Sequence, residues 1–137
     1  MIVVDAGVVV DFLLGRPSAM QALEEALNGR EQEPLCAPEL IEPEVLNVLR
    51  RLAQRGDIDR RQADDAVTDL EDLRMMRFPH APLRRRVWAL RDELTAYDAT
   101  YLALAEALDG SLLLTTDTGM AARATASLGA DRVRRVG

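Results

Sequence analysis

Four acids in this sequence stand where a carboxylate is costly to bury and useful to gather. Asp5 directly follows the apolar run Ile2-Val3-Val4, and Asp117 comes just after Leu112-Leu113-Leu114. If both runs are parallel strands, both carboxylates emerge at the same sheet edge, where open α/β sheets bind ligands. Acids at corresponding strand ends begin a site for a hard cation, since Mg²⁺ and Mn²⁺ prefer carboxylate and water oxygens. Each acid also has an ordinary use, as the cap of a following helix.

Asp98 falls in the first turn of a helix read from Thr95 to Leu108, at capping-box spacing from Thr95. The stripe Tyr97, Tyr101, Leu104 and Leu108 is expected to face the core. That sets Asp98 at the rim of buried surface, where an ionised carboxylate needs a cation or several donors. Glu44 lies on a helix whose apolar face is marked by Ile41, Val45, Val48 and Leu52. Glu44 flanks that face with Asn47 and Arg51, Glu42 flanks its other side, and helical geometry alone does not choose between them. An ion pair of Glu44 with Arg51 is the plain alternative role.

The elements that must position these acids alternate along the chain. Short apolar runs at 2–4, 34–38, 75–78, 111–115 and 131–136 read as strands. Helical periodicity fills the intervals: 19–27 with Ser18 as its cap, 39–55, 60–74, 83–94, 95–108 and 117–128. Alternating strands and helices predict a central parallel sheet flanked by helices, an α/β domain taken to span residues 1–137.

Composition bounds the possibilities. The 137 residues suit one domain, and 48% apolar content suffices for a core without cross-links. Cys36, the sole cysteine, has no internal disulfide partner, which fits a reducing cytoplasm. No stretch approaches the ~20 apolar residues of a membrane span. The net charge is −6, yet all 17 basic residues are Arg, clustered at 50–51, 60–61, 84–86 and 132–135. An acidic total with local Arg patches suits a protein that holds cations in a carboxylate site and grips phosphate beside it. Arg50-Arg51 and Arg84-Arg85-Arg86 are the better candidates for such contacts. Cys36, Tyr97 and Tyr101 are expected in the core, Trp88 in the core or an interface, and His80 exposed in a Pro-flanked turn.

Taken together, the segments Val3-Val4-Asp5-Ala6, Pro38 through Glu44-Val45-Leu46-Asn47-Val48-Leu49-Arg50-Arg51, Tyr97-Asp98-Ala99-Thr100-Tyr101 and Leu113-Leu114-Thr115-Thr116-Asp117 resemble the PIN-domain family, especially its VapC-type toxins. The resemblance covers essentially the whole chain. It implies a five-stranded parallel sheet between helices, and an acidic quartet formed by Asp5, Glu44, Asp98 and Asp117. It selects Glu44 over Glu42 and gives Thr115 a supporting role. It also implies cleavage of RNA, a Mg²⁺ or Mn²⁺ cofactor, neutralisation by a VapB-type antitoxin, and a homodimer. On this reading Asp5 and Asp98 are the principal ligands, Glu44 acts through water, and Asp117 completes a second position.

Two other classes compete. A phosphoryl-transfer domain also carries an Asp after its first strand, but it needs a Lys, absent here, and the phosphatase type a second Asp where this chain has Gly7. A binding-only module of the same fold would bind RNA or a partner without cutting.

Overall fold

The computed structural model describes residues 1–30 and 32–137. Five short strands, β1 (Ile2–Val4), β2 (Leu35–Pro38), β3 (Met75–Phe78), β4 (Leu112–Thr115) and β5 (Val133–Arg135), form one sheet in the order β3-β2-β1-β4-β5. Every pairing is parallel. Seven helices are seen among the described residues: α1 (Ala6–Leu13), α2 (Pro17–Leu27), α3 (Ile41–Gln54), α4 (Arg60–Asp72), α5 (Arg84–Ala89), α6 (Ala96–Ala107) and α7 (Thr118–Leu128). The α/β architecture agrees with the alternation read from the sequence.

The strand order explains where a site can form. The chain lays β1, β2 and β3 side by side in one direction, then crosses back to place β4 on the other side of β1. The gap between β1 and β4 at their C-terminal ends is therefore the switch point of the sheet, where loops diverge and leave a crevice. Register sets Val4 opposite Leu114, so the residues that follow, Asp5 and Thr115, come out together. The last helix before β4 runs back against the strand direction, which brings the N-terminus of α6 to the same edge.

Side-chain alternation divides the core in two. Ile2, Val4, Leu35, Ala37 and Leu114 point to one face and pack with α1, α2, α3 and α4. Val3, Cys36 and Leu113 point to the other and pack with Leu90, Leu102 and Ala124 from the second helical layer. The inner strands β1 and β2 carry no polar position, being buried along their whole length with both faces covered. No helix among the described residues is long and apolar enough to cross a membrane.

Several local expectations change. Pro17 starts α2 at its first helical position and Arg16 precedes it, so Ser18 is inside the helix and caps nothing. The segment 83–94 is not one helix: a 3₁₀ turn at Ala81–Leu83 leads into α5, which ends at Ala89. Trp88 is 66% exposed, outside the core, with the Arg91 guanidinium over its ring at 4.7 Å. Cys36 is buried, as expected. His80 is exposed and structural: its Nε2 accepts the Leu40 N–H at 2.9 Å, satisfying a donor at the start of α3.

Nor is the 132–135 cluster a free basic patch. The Arg132 guanidinium donates to the carbonyls of Ala105, Leu108 and Ser111 and to the Ser111 hydroxyl, stapling the end of α6 to the start of β4. Arg134 pairs with Glu25. Removing Arg132 takes the guanidinium donor from the Ser111 carbonyl and the second donor from the Ala105 and Leu108 carbonyls, which keep their bonds from Ser111, at a cost of about 1–3 kcal/mol. Arg132→Ala is therefore expected to lower the urea midpoint clearly. The exposed Arg135→Ala control should stay within about 0.5 kcal/mol of the parent; equal midpoints for the two variants would contradict the staple.

Candidate active site

Asp5 is the inner wall of the site. It is 6% exposed and caps α1 by accepting the Val8 N–H on Oδ1 at 2.9 Å. Its other oxygen, Oδ2, accepts the Thr115 hydroxyl and, at 3.1 Å, the Thr116 N–H. Thr115 Oγ1 in turn accepts the Asp117 N–H at 3.0 Å, tying the ends of β1 and β4 into one unit. Asp117 is exposed and caps α7 through Oδ1, which accepts the Met120 N–H at 2.7 Å. The two strand-end acids thus do cap helices, and they do so at the switch point.

Asp98 comes in from α6. Thr95 caps that helix by accepting the Asp98 N–H, but the Asp98 carboxylate does not reach back to complete a capping box. The contrast is with α4, where Asp59 and Gln62 make both halves. Among the described residues no hydrogen-bond donor serves the half-buried Asp98 carboxylate. Glu44 comes from the first turn of α3 and accepts the Tyr101 hydroxyl at 2.7 Å. Glu42, one turn-face away, pairs with Arg77 on β3. The choice that helical geometry leaves open is settled by these partners: Glu42 is occupied by a cation and Glu44 turns toward the other acids. No ion pair joins Glu44 to Arg51 among the described residues.

Electrostatics joins the four acids. Burial raises the Asp5 carboxyl above its usual range, against its three hydrogen bonds, and the charge of Asp98 raises it further. Burial raises Glu44 as well, opposed by the Tyr101 hydroxyl and reinforced by Asp98 and Asp5. Asp98 is raised by burial and by Asp117. No cationic side chain figures among the influences on these three groups. The arrangement concentrates negative charge without an internal counter-charge, which stabilises protonated forms or a bound cation.

In kind, this donor set fits a hard divalent ion: carboxylate oxygens only, near one another, uncompensated. As placed, however, no group of three or more His, Cys, Asp and Glu side chains among the described residues could by itself hold a metal ion. Any cation bound here would need water and substrate phosphate to complete its shell, as Mg²⁺ commonly does.

Two contributors escaped the sequence reading. Tyr101 is buried as expected, but its hydroxyl orients Glu44. Thr116 acts through its backbone N–H, which no side-chain pattern signals. Tyr97 departs from expectation: it is 65% exposed and outside the core. Gly7 has a steric reason, since a Cβ there would lie 2.1 Å from Thr116 Oγ1. The position that a phosphatase motif fills with a second Asp is closed to any side chain.

Comparison with known proteins follows the same line. Residues 2–126 match the family described as PIN domain. The chain is 38% identical over 125 residues to a protein named VapC ribonuclease Mb0985 from Mycobacterium bovis, covering 88% of this chain and 93% of that one. It is 41% identical over 121 residues to one named Ribonuclease VapC1 from Mycobacterium tuberculosis, covering 88% of each. In three dimensions it resembles PAE2754 from Pyrobaculum aerophilum, with TM-score 0.64 and 23% identity over 89% of this chain and 78% of that one, a likeness of fold.

The raised carboxyls have a consequence for stability. A group whose pKa is higher folded than unfolded holds more protons in the native state, so stability falls as pH rises through that interval. Asp98→Asn removes one such group. In EDTA it is expected to melt above the parent at neutral pH, with the difference shrinking as pH drops through the carboxylate range. A variant less stable than the parent at pH 7 would contradict this account.

Proposed function

The chain belongs to the PIN-domain family, among its VapC-type proteins, and on that premise we propose that it is a Mg²⁺- or Mn²⁺-dependent ribonuclease, the toxin of a toxin–antitoxin pair. The observation that supports it most is that Asp5, Glu44 and Asp98 act on one another and Asp117 acts on Asp98, with no cationic side chain acting on the first three. A bound divalent ion would supply an activated water and neutralise the phosphate charge.

The chain's own residues divide the remaining work. Asp98 offers a carboxylate free of internal hydrogen bonds, and Asp117 offers the oxygen its cap leaves open. Asp5 holds the innermost negative charge, with Thr115 and the Thr116 N–H fixing its plane. Glu44, held by the Tyr101 hydroxyl, would orient the attacking water and accept its proton. No protein nucleophile is required: Cys36 is buried, and the Nε2 of His80 already accepts a backbone N–H. A VapB-type antitoxin is the proposed inhibitor and a homodimer the proposed assembly.

The test is incubation with total RNA and mapping of the cut ends. Cleavage is expected to vanish in excess chelator, return with Mg²⁺ or Mn²⁺, and be lost in Asp5→Ala and Asp98→Asn. Tyr101→Phe, which keeps the ring and drops the hydroxyl, should cost about 10–100-fold in activity, the usual penalty for losing a group that orients a ligand. Cleavage that persists in chelator, or growth arrest undiminished in Asp98→Asn, would defeat the proposal and leave a binding module of the same fold.

A further inference from the structure

A groove of about 690 Å³ opens between α3 and the first turn of α6, and Glu44 forms part of its wall. It therefore borders the acidic centre at Glu44. Leu40, Pro43 and Val48 supply an apolar floor, and Asn47, Arg51 and Tyr97 complete the lining. Tyr97 immediately precedes Asp98 and is 65% exposed, whereas Tyr101, one turn on, is buried. Its ring costs apolar exposure and returns no packing in the free chain.

The polar groups of the groove are in different states. Arg50 is committed to Gln54 and to Asn47 Oδ1 at 3.1 Å. That contact occupies the Asn47 carbonyl oxygen and leaves its amide NH₂ as an unused donor. Arg51 is exposed and enters no ion pair among the described residues. An uncovered aromatic face, a free guanidinium and a spare amide donor over an apolar floor match the demands of a single nucleic-acid strand: stacking for a base, a cation for a phosphate, a donor for a base edge.

A second exposed aromatic exists. Trp88 lies in another groove with His80, Arg84 and Arg91, but Arg91 already covers its ring and none of the four acids lines that groove. The Tyr97 groove is the one that both offers a bare ring and touches the acidic centre.

Building on the ribonuclease reading, we propose that this groove seats an unpaired base of the RNA strand on Tyr97, with an adjoining phosphate on Arg51. A base held within a duplex has its faces stacked on its neighbours and is not available to the ring. Tyr97 and Arg51 are thus positioning residues: they set which phosphate meets the acids.

The test is fluorescence anisotropy with fluorescein-labelled single-stranded RNA in EDTA. The Asp98→Asn protein serves as parent, so that the strand stays intact and one repelling charge is gone. Tyr97→Ala is expected to weaken binding about tenfold or more, and Tyr97→Phe to bind as the parent does. Arg51→Ala should flatten the slope of log affinity against log salt by about 0.7. Thermal midpoints should hold, since these side chains are exposed. A parent that binds no single strand, parental affinity in Tyr97→Ala, or equal affinity for duplex RNA overturns the subsite; parental affinity in Tyr97→Ala would leave the groove to a protein segment. The two proposals fail separately. Wild-type protein that binds as described but never cuts with Mn²⁺ removes the ribonuclease reading alone. Cleavage untouched by Tyr97→Ala removes the subsite alone.

Discussion

A buried carboxylate at the end of β1 is the constraint around which this structure is arranged. Asp5 loses water on folding, and burial outweighs the three hydrogen bonds that favour its ionised form. Those three donors come from two different segments: the first turn of α1, and the last residue of β4 with the residue after it. Holding the charge therefore requires β1 and β4 to be neighbours in parallel register, which is what places the switch point there. The same close approach excludes a side chain at position 7, because Thr116 occupies that space. Fold and site are one arrangement at this point, and Thr115 is its hinge, donating to one acid and accepting from the backbone of another.

Charge is segregated in a way the net figure of −6 conceals. Arginine does structural work away from the acids: Arg132 staples a helix end, Arg77 neutralises Glu42, Arg86 holds Glu106 and Arg123 holds Glu93. Most of these pairs are exposed, and each is worth little on its own. Their effect is distribution. Arginines drawn into such contacts are not aimed at the acidic centre, which keeps its negative potential. An internal Arg beside Asp98 would stabilise the free protein and cancel that potential.

Much of this was legible in the sequence. Continuous apolar runs between helical stretches disclosed a parallel sheet, and acids at two run ends disclosed the edge. What could not be read depended on partners far away in the chain. Glu42 and Glu44 are equivalent on a helical wheel; the resemblance selects Glu44, but the physical difference lies in Arg77 and Tyr101, each from a different element. Periodicity put Tyr97 in the core because it extends a stripe with Tyr101. At the first turn of α6 the helix has already left the sheet surface, so the stripe ends one turn early. The 83–94 segment was apolar enough for a helix but breaks at Ala89, with the chain turning back on Leu90 before α6 begins.

The sequence poses capping and metal binding as rival uses for Asp5, Asp98 and Asp117, and lone pairs show how they coexist. A carboxylate offers about four acceptor sites. Asp5 uses three of them on protein donors and keeps one. Asp117 uses one oxygen on its cap and keeps the other. Glu44 accepts one hydroxyl on Oε1. Asp98 accepts none, because Thr95 caps α6 in its place. Ranked by free oxygen, Asp98 stands first and Asp5 last, and each of the four keeps at least one lone pair that no protein donor takes. An Asp at a helix N-terminus is thus no argument against ligation; what matters is how many of its oxygens the cap consumes.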